Sequence, residues 1–242
     1  MVPALQLFLA ALAIASALYL PEEVRLFVPL GCLVLMLIVA RVDRKRLERA
    51  ATRKNFLRSE MDRALSKETT GITGDDFFTI ESLVFPKSEL LLIDAVHSIF
   101  KDLGFQVSAG VKYHAVDRIV RIPGTEKVFG LEILLSEGEV QENHPKLSRA
   151  IEFEGEKTGH EKTLIIGSTH VRVPLSERDH VQHMSKRVSD FLIRHHISFL
   201  PADRLYDLWH KAKGEELALF QLFDLIYTHP GGVFSVRRTQ AS

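Results

Sequence analysis

The sequence predicts an α/β domain with a mixed sheet, preceded by an N-terminal hairpin of two transmembrane helices. Residues 3–20 and 26–40 carry no charged side chain, and each run is close to the length that a helix needs to cross about 30 Å of hydrocarbon. From Ser88 onward, helical and strand periodicities follow one another in the order αβββαβαβα. That order is typical of an α/β sandwich with a mixed sheet.

The two apolar runs also predict a localisation. Only residues 21–25 separate the runs, and basic residues crowd the segment 41–54 that follows the second run. The positive-inside rule then places both termini and the rest of the chain in the cytoplasm. The first run lacks the basic start of a signal peptide. The predicted protein is therefore a two-span protein of the cell membrane, with the lipid bilayer as a partner.

Composition excludes several classes of protein. The 242 residues have a formal net charge of zero, so no global field favours nucleic acid or anionic lipid. Cys32 is the single cysteine, which rules out a disulfide framework and a cysteine-based zinc site.

Four segments are predicted along the chain. A basic helical stalk is predicted after the membrane hairpin. A linker follows the stalk, because turn-forming residues at 69–76 interrupt the helical pattern. An α/β domain comes next, and a very apolar helix ends the chain. The stalk and the terminal helix are candidates for self-association into a homo-oligomer. The predicted bounds are 1–42 for the membrane hairpin, 43–87 for the stalk and linker, 88–213 for the α/β domain and 214–242 for the terminal helix and tail.

The helices of the α/β domain are predicted from apolar periodicity and from the residues that start or end a helix. Residues 89–103 place apolar side chains on one face, and Gly104 ends this helix as a C-cap. Pro145 suits the first turn of a helix that runs to residue 156. Three further helices are predicted, from Ser176 or Asp179 to about residue 195, from Pro201 to 213, and from 215 to 227.

The strands are predicted from alternation and from short apolar runs. Residues 105–108 alternate between apolar and polar side chains, and residues 117–135 form two strands joined by a Pro-Gly turn. Residues 164–168 and 197–200 are short apolar runs of the kind found in buried strands.

Two acids mark the predicted hairpin as a candidate metal site. Asp117 opens its first strand, and Glu132 stands in the apolar run of its second strand, although acids are poor strand formers. Two converging carboxylates suit Mg²⁺, which prefers oxygen ligands. The structural alternative is that Asp117 caps a turn and that Glu132 pairs with a basic residue across the hairpin, namely Arg118, Arg121 or Lys127.

The order of elements resembles the restriction-endonuclease-like superfamily, and most closely its Mrr-like type IV restriction enzymes. The resemblance covers residues 88–213. It rests on Asp94 in a helix that leads into Gly104-Phe-Gln-Val, on Asp117 and on Glu132 in Leu-Glu-Ile-Leu. It also rests on the closing segments, which are Thr163-Leu-Ile-Ile-Gly-Ser, Pro174-Leu-Ser-Glu-Arg, Ile197-Ser-Phe-Leu and Asp203-Arg-Leu-Tyr-Asp-Leu-Trp. It implies that Asp117, Glu132 and Asp94 hold Mg²⁺ and that DNA is the substrate.

One position departs from that family. Its active members carry a lysine two residues after the second acid, where this chain has Leu134. A lysine from another element could replace it, and Lys112, Lys127 and Lys146 are the candidates. Lys146 is the best of them, because the helix after the strand hairpin borders the site.

Three functional hypotheses follow. The first is a membrane-anchored cytoplasmic protein whose nuclease-like domain has lost hydrolysis and binds nucleic acid or a protein partner. The second is an active Mg²⁺-dependent DNA endonuclease that uses Asp94, Asp117 and Glu132 with Lys146. The third is a membrane scaffold whose stalk and terminal helix assemble oligomers.

Overall fold

The computed structural model describes residues 27–65, 76–110, 116–157, 159–178, 180–214 and 217–234. By its internal contacts the chain divides into two units, 1–54 and 55–242. The helices, in chain order, are α1 (Phe27–Leu65), α2 (Phe77–Val84), α3 (Glu89–Asp102), α4 (Pro145–Glu156), α5 (Leu175–Arg178), α6 (Lys186–Arg194), α7 (Ala202–Lys213) and α8 (Leu219–Tyr227). The strands are β1 (Gln106–Ala109), β2 (Arg118–Arg121), β3 (Val128–Leu135), β4 (Glu161–Ser168), β5 (Ser198–Pro201) and β6 (Gly232–Val233).

The predicted two-span membrane topology is wrong. Over the part of the chain that is described, no helix is both long enough and apolar enough to cross a membrane. The uncharged part of α1 runs from Phe27 to Ala40 and covers only about 21 Å at 1.5 Å per residue, against about 30 Å of hydrocarbon. Arg41 and the charged residues after it continue the same helix. The cell-membrane localisation is therefore corrected, and residues 3–20 lie outside the described residues.

The second unit contains a mixed six-stranded sheet, as far as the described residues show, with the strands in the order β1 to β6. β1, β2 and β3 pair antiparallel, whereas β3, β4, β5 and β6 pair parallel. The predicted α/β class with a mixed sheet is confirmed. β3 is the strand at which the two kinds of pairing meet, because its neighbours run in opposite directions.

Helices cover both faces of this sheet, and the alternation of side chains along β3 shows how. Phe129, Leu131 and Ile133 point into the larger apolar cluster, which includes residues of α2, α3, α7 and α8. Leu134 points to the opposite face, into a cluster with residues of α4 and α6. Because successive strand residues alternate between faces, Glu132 lies on the α4 face with Leu134.

The region between β4 and β5 departs from the prediction of one continuous helix. α5 ends at Arg178, whose guanidinium donates hydrogen bonds to the carbonyls of Val84, Val171 and Val173. The second helix, α6, begins only after Ser185, which accepts a hydrogen bond from the backbone of its third helical residue. Between the two helices, Met184 forms a bridge with Val140, and this tertiary pairing interrupts the helix.

Other predicted elements are found with shifted bounds or lie outside the described residues. β4 begins three residues earlier than the predicted strand, at Glu161, and α8 begins at Leu219. The described residues exclude most of the predicted break at 69–76, the possible helix cap Asp179, Glu215 and the chain after residue 234.

Gly130 tests how closely α4 packs on β3. A Cβ at this position would lie under 3.0 Å from three ring atoms of Phe153 on α4. We expect Gly130→Ala to lower the free energy of unfolding by about 1–3 kcal/mol, because overpacking moves the ring or the helix. Urea unfolding of the full chain measures this change.

Gly155→Ala is the matched control for that substitution. Gly155 also lies on α4, and a Cβ there meets no atom within 4 Å. We expect this variant to be as stable as the wild type, or more stable by up to about 1 kcal/mol, since alanine favours helix. Equal unfolding curves for both variants would contradict the packing of α4 on β3.

Candidate functional site

Five charged side chains converge on the sheet face that α4 covers, and we call them the charged cluster. One comes from the first residue of α3, one from the residue before β2, one from the middle of β3 and two from the first turns of α4. They are Glu89, Asp117, Glu132, Lys146 and Arg149.

Asp117 is held in place by the backbone of β3, through the residues on either side of Glu132. The register that pairs Arg118 with Leu131 sets Asp117 beside Glu132. The backbone amide of Asp117 donates to the Leu131 carbonyl at 2.9 Å, and its Oδ2 atom accepts from the Ile133 amide at 2.8 Å. The β2–β3 pairing therefore places the two acids side by side.

Glu132 is the most deeply buried member of the charged cluster, with a fully buried side chain. Burial is the main reason that its pKa rises to about 8, and the negative charge of Asp117 adds to the rise. Lys146 and Arg149 act in the opposite direction. The Oε1 atom of Glu132 has no hydrogen-bond partner among the described residues.

Lys146 reaches both acids from the start of α4. Its Nζ atom lies 2.5 Å from Asp117 Oδ2, 3.5 Å from Glu132 Oε2 and 3.1 Å from Glu89 Oε1. His144 caps this helix, and its Nδ1 atom accepts a hydrogen bond from the Lys146 amide at 3.2 Å. The cap fixes the first turn of α4 and with it the base of the lysine side chain.

Arg149 bridges the same two acids one turn further along α4. Its Nη2 atom lies 3.1 Å from Asp117 Oδ1 and 2.7 Å from Glu132 Oε2. A single atom that contacts both carboxylates keeps these two oxygens within about 6 Å of each other. Residues three apart on a helix share a face, which is why Lys146 and Arg149 approach the acids together.

The two acids of the hairpin respond to this environment in opposite ways. Burial by itself would raise the pKa of Asp117, but hydrogen bonds from Lys146 and the Ile133 amide, with the charges of Lys146 and Arg149, hold that pKa below its usual value. Asp117 is therefore ionised at neutral pH, whereas Glu132, with a pKa of about 8, is largely protonated there. Two adjacent carboxyl groups with separated pKa values are a common feature of functional sites.

Leu134, at the position where the resembled family carries a lysine, lies in an apolar environment. Its side chain is fully buried and packs in the apolar cluster under α4, where Leu147 and Ala150 also lie. Leu134 therefore holds α4 against β3 by apolar contact. Lys146 lies on that helix, and its amine contacts the carboxyl groups of Asp117 and Glu132.

The structure brings three of the residues predicted from sequence together and leaves others apart. Asp117, Glu132 and Lys146 all belong to the charged cluster. Asp94 is exposed on α3, and among the described residues no hydrogen bond or ion pair joins it to the cluster. The Lys127 amine lies over the rings of Phe223 and Tyr227, 5.1 and 4.7 Å from their centres. Lys112 lies outside the described residues.

Two members of the charged cluster were missed by sequence analysis. Arg149 could have been found, because it follows Lys146 by one helical turn, and any helix that presents the lysine to β3 also presents the arginine. Glu89 gives no such signal. Its place depends on how the start of α3 crosses the sheet, which is a tertiary property.

The carboxyl groups of the charged cluster are of the kind that binds a divalent cation. The described residues contain no group of three or more His, Cys, Asp or Glu side chains arranged to hold a metal ion. Mg²⁺, however, usually binds to one or two carboxylates and keeps several waters. Asp117 and Glu132 supply two carboxylates, and the unpartnered Oε1 atom of Glu132 is a buried oxygen that no described group uses.

Comparisons with known proteins add no family to this picture. No family model matches the chain, and neither a curated protein nor a solved structure matches it significantly. The resemblance to restriction-endonuclease-like proteins therefore stays a prediction.

The raised pKa of Glu132 predicts how stability depends on pH. The folded state holds the Glu132 proton up to about pH 8, whereas an unfolded chain releases it near pH 4.5. Stability is therefore lost as pH rises through that interval, because the folded state binds more protons. We expect Glu132→Gln to become more stable relative to the wild type between pH 5 and pH 8.5, by up to a few kcal/mol, since one pKa unit is worth about 1.4 kcal/mol.

Urea unfolding at several pH values measures this difference, and Glu139→Gln is the control. Glu139 is an exposed acid on the loop after β3, so its removal changes no buried charge. If the difference between Glu132→Gln and the wild type stays constant from pH 5 to pH 8.5, the buried carboxyl group does not hold its proton up to about pH 8.

Proposed function

We propose that this protein hydrolyses phosphodiester bonds of DNA with the help of a divalent cation, and that the charged cluster is its active site. The observation that carries the proposal is the position of Lys146, whose Nζ atom lies 2.5 Å from Asp117 and 3.5 Å from Glu132. Two carboxylates and one amine are the groups that the predicted nuclease site requires. The lysine that the strand lacks at position 134 is supplied by α4.

Asp117 and Glu132 have the role of cation ligands in this proposal. A divalent cation bound there supplies a Lewis acid for the phosphodiester oxygen and lowers the pKa of an attacking water. The β2–β3 pairing holds the Asp117 carboxylate through the Ile133 amide, so the ligand is positioned before a cation arrives. Ionisation of Glu132 costs less when a positive charge binds beside it.

Lys146 has the role of the positive group at the reacting centre. Its side chain is 9% exposed, so its ammonium group acts where water screens charge only weakly. It can donate a hydrogen bond to the attacking water or to the oxygen on which negative charge develops. The His144 cap limits the motion of the helix turn that carries it.

The choice of DNA as the substrate rests on the predicted resemblance. The mixed α/β sheet and the order of its elements agree with a restriction-endonuclease-like fold, and that finer description of the fold is part of the proposal. A fold alone does not establish an activity. The positions of Lys146 and Arg149 beside the acids add positive charge where a phosphate would bind.

Binding without cleavage is the second candidate function. Arg149 favours it, because its guanidinium contacts both acids and, together with Lys146, can balance their charge without a cation. In that case the charged cluster is a structural ion-pair network, and the domain binds nucleic acid or a protein through other surfaces. Self-association through the stalk or the terminal helix also stays a prediction.

A cleavage assay on the full chain separates the two candidates. We expect the wild type to cut linear or plasmid DNA in the presence of Mg²⁺ or Mn²⁺. We expect Lys146→Met to lower the rate by about a hundredfold or more, since the positive group at the reacting centre is lost. Gel analysis of the DNA over time gives the rate, and an unfolding curve shows whether the variant is folded.

Two exposed positions on α3 provide controls for this assay. Asp94→Ala removes an acid, and Lys101→Ala removes a lysine, and neither side chain belongs to the charged cluster. We expect both variants to cut at the wild-type rate. DNA binding that weakens as salt rises, without cleavage by any variant, supports the second candidate instead.

A further inference from the structure

Arg149 contacts one oxygen of each carboxylate that would bind a cation and leaves Glu132 Oε1 without a partner among the described residues. Its Nη2 atom lies 3.1 Å from Asp117 Oδ1 and 2.7 Å from Glu132 Oε2. A divalent cation bound to both carboxylates would stand close to this guanidinium, and two positive charges a few ångströms apart repel each other strongly in a buried site. Binding of the cation therefore requires Arg149 to move.

Lys146 and Arg149 differ in their freedom to move. The Arg149 side chain is 37% exposed, whereas that of Lys146 is 9% exposed and contacts three carboxylates. Arg149 thus lies at the open edge of the charged cluster, and Lys146 lies within it. The group at the edge can leave towards solvent without opening the protein.

The position of Arg149 between the acids also leaves one of its own groups unsatisfied. Its Nε atom is buried and has no hydrogen-bond partner among the described residues. A buried donor without an acceptor opposes the gain from the contacts with the two acids. The bridging position is therefore held less firmly than its short distances suggest.

We propose that Arg149 is a displaceable occupant of the cation site which, once displaced, binds the phosphate group next to the bond that is cut. The inference rests on the proposed phosphodiesterase function and assigns a second binding residue to it. The planar guanidinium can donate two parallel hydrogen bonds to a phosphate, which a lysine cannot do. Its place at the open edge of the charged cluster puts it where a phosphate can arrive.

Cation affinity measured without DNA tests the first half of the proposal. Titration calorimetry with Mn²⁺ gives the affinity of the full-length wild type, of Arg149→Gln and of Arg187→Gln. We expect Arg149→Gln to bind Mn²⁺ about tenfold more tightly or better, because a competing positive charge is removed. Arg187→Gln removes an arginine that is 81% exposed and paired with Glu142, and we expect wild-type affinity.

DNA cleavage by the same variants tests the second half. We expect Arg149→Gln to raise the KM for linear DNA and to lower kcat, despite its tighter binding of Mn²⁺. Arg149→Lys keeps a positive charge beside Glu132 and guards against loss of folding. We expect it to bind Mn²⁺ within about threefold of the wild type and to cleave as poorly as Arg149→Gln, since lysine lacks the planar fork.

The outcomes separate this inference from the proposed function. Unchanged or weaker Mn²⁺ binding by Arg149→Gln overturns the displacement, even if the wild type cleaves DNA. Wild-type cleavage by Arg149→Lys overturns the phosphate contact. If neither the wild type nor Arg149→Gln binds Mn²⁺, the proposed function fails and this inference fails with it.

Discussion

The structure around β3 depends on the burial of one carboxyl group, that of Glu132. An isolated charge in this position would be very costly, so the fold must supply partners or keep the group protonated. It does both, because Lys146 and Arg149 reach Glu132 from α4 and burial raises its pKa to about 8. Leu134 and the contact between Gly130 and Phe153 hold α4 where this compensation is possible. The apolar contacts of α4 and the ion-pairing of its basic side chains therefore both require α4 to lie at this position on β3.

The same constraint connects stability with the proposed chemistry. The charged cluster sets two bases beside three acids, and Lys146 and Arg149 contact the two carboxyl groups that would bind a cation. We propose that a cation enters the charged cluster by displacing Arg149, its more exposed member on α4. We therefore interpret Lys146 and Arg149 as groups with different tasks, although both contact Asp117 and Glu132. The first is buried among three carboxylates, and the second lies at the edge where a phosphate can reach it.

Much of this site could be predicted from sequence, because it depends on local patterns. A Pro-Gly turn between two apolar runs predicted the β2–β3 hairpin, and the hairpin register brings Asp117 beside Glu132. The helix after the hairpin pointed to Lys146. Glu89 and the break between α5 and α6 could not be predicted, since both depend on contacts between distant segments, such as the bridge between Val140 and Met184. The membrane prediction failed for a different reason: the uncharged part of α1 that is described is too short for a bilayer.

A crystal structure of the full chain soaked with Mn²⁺ would test the central claim most directly, because the anomalous signal of Mn²⁺ locates the ion without assumptions about activity. The account predicts an anomalous peak bound by the carboxylates of Asp117 and Glu132, with Lys146 still beside them and the Arg149 guanidinium moved away from both acids. It would be contradicted by a structure that lacks such a peak at saturating Mn²⁺ and in which Arg149 still bridges the two carboxylates.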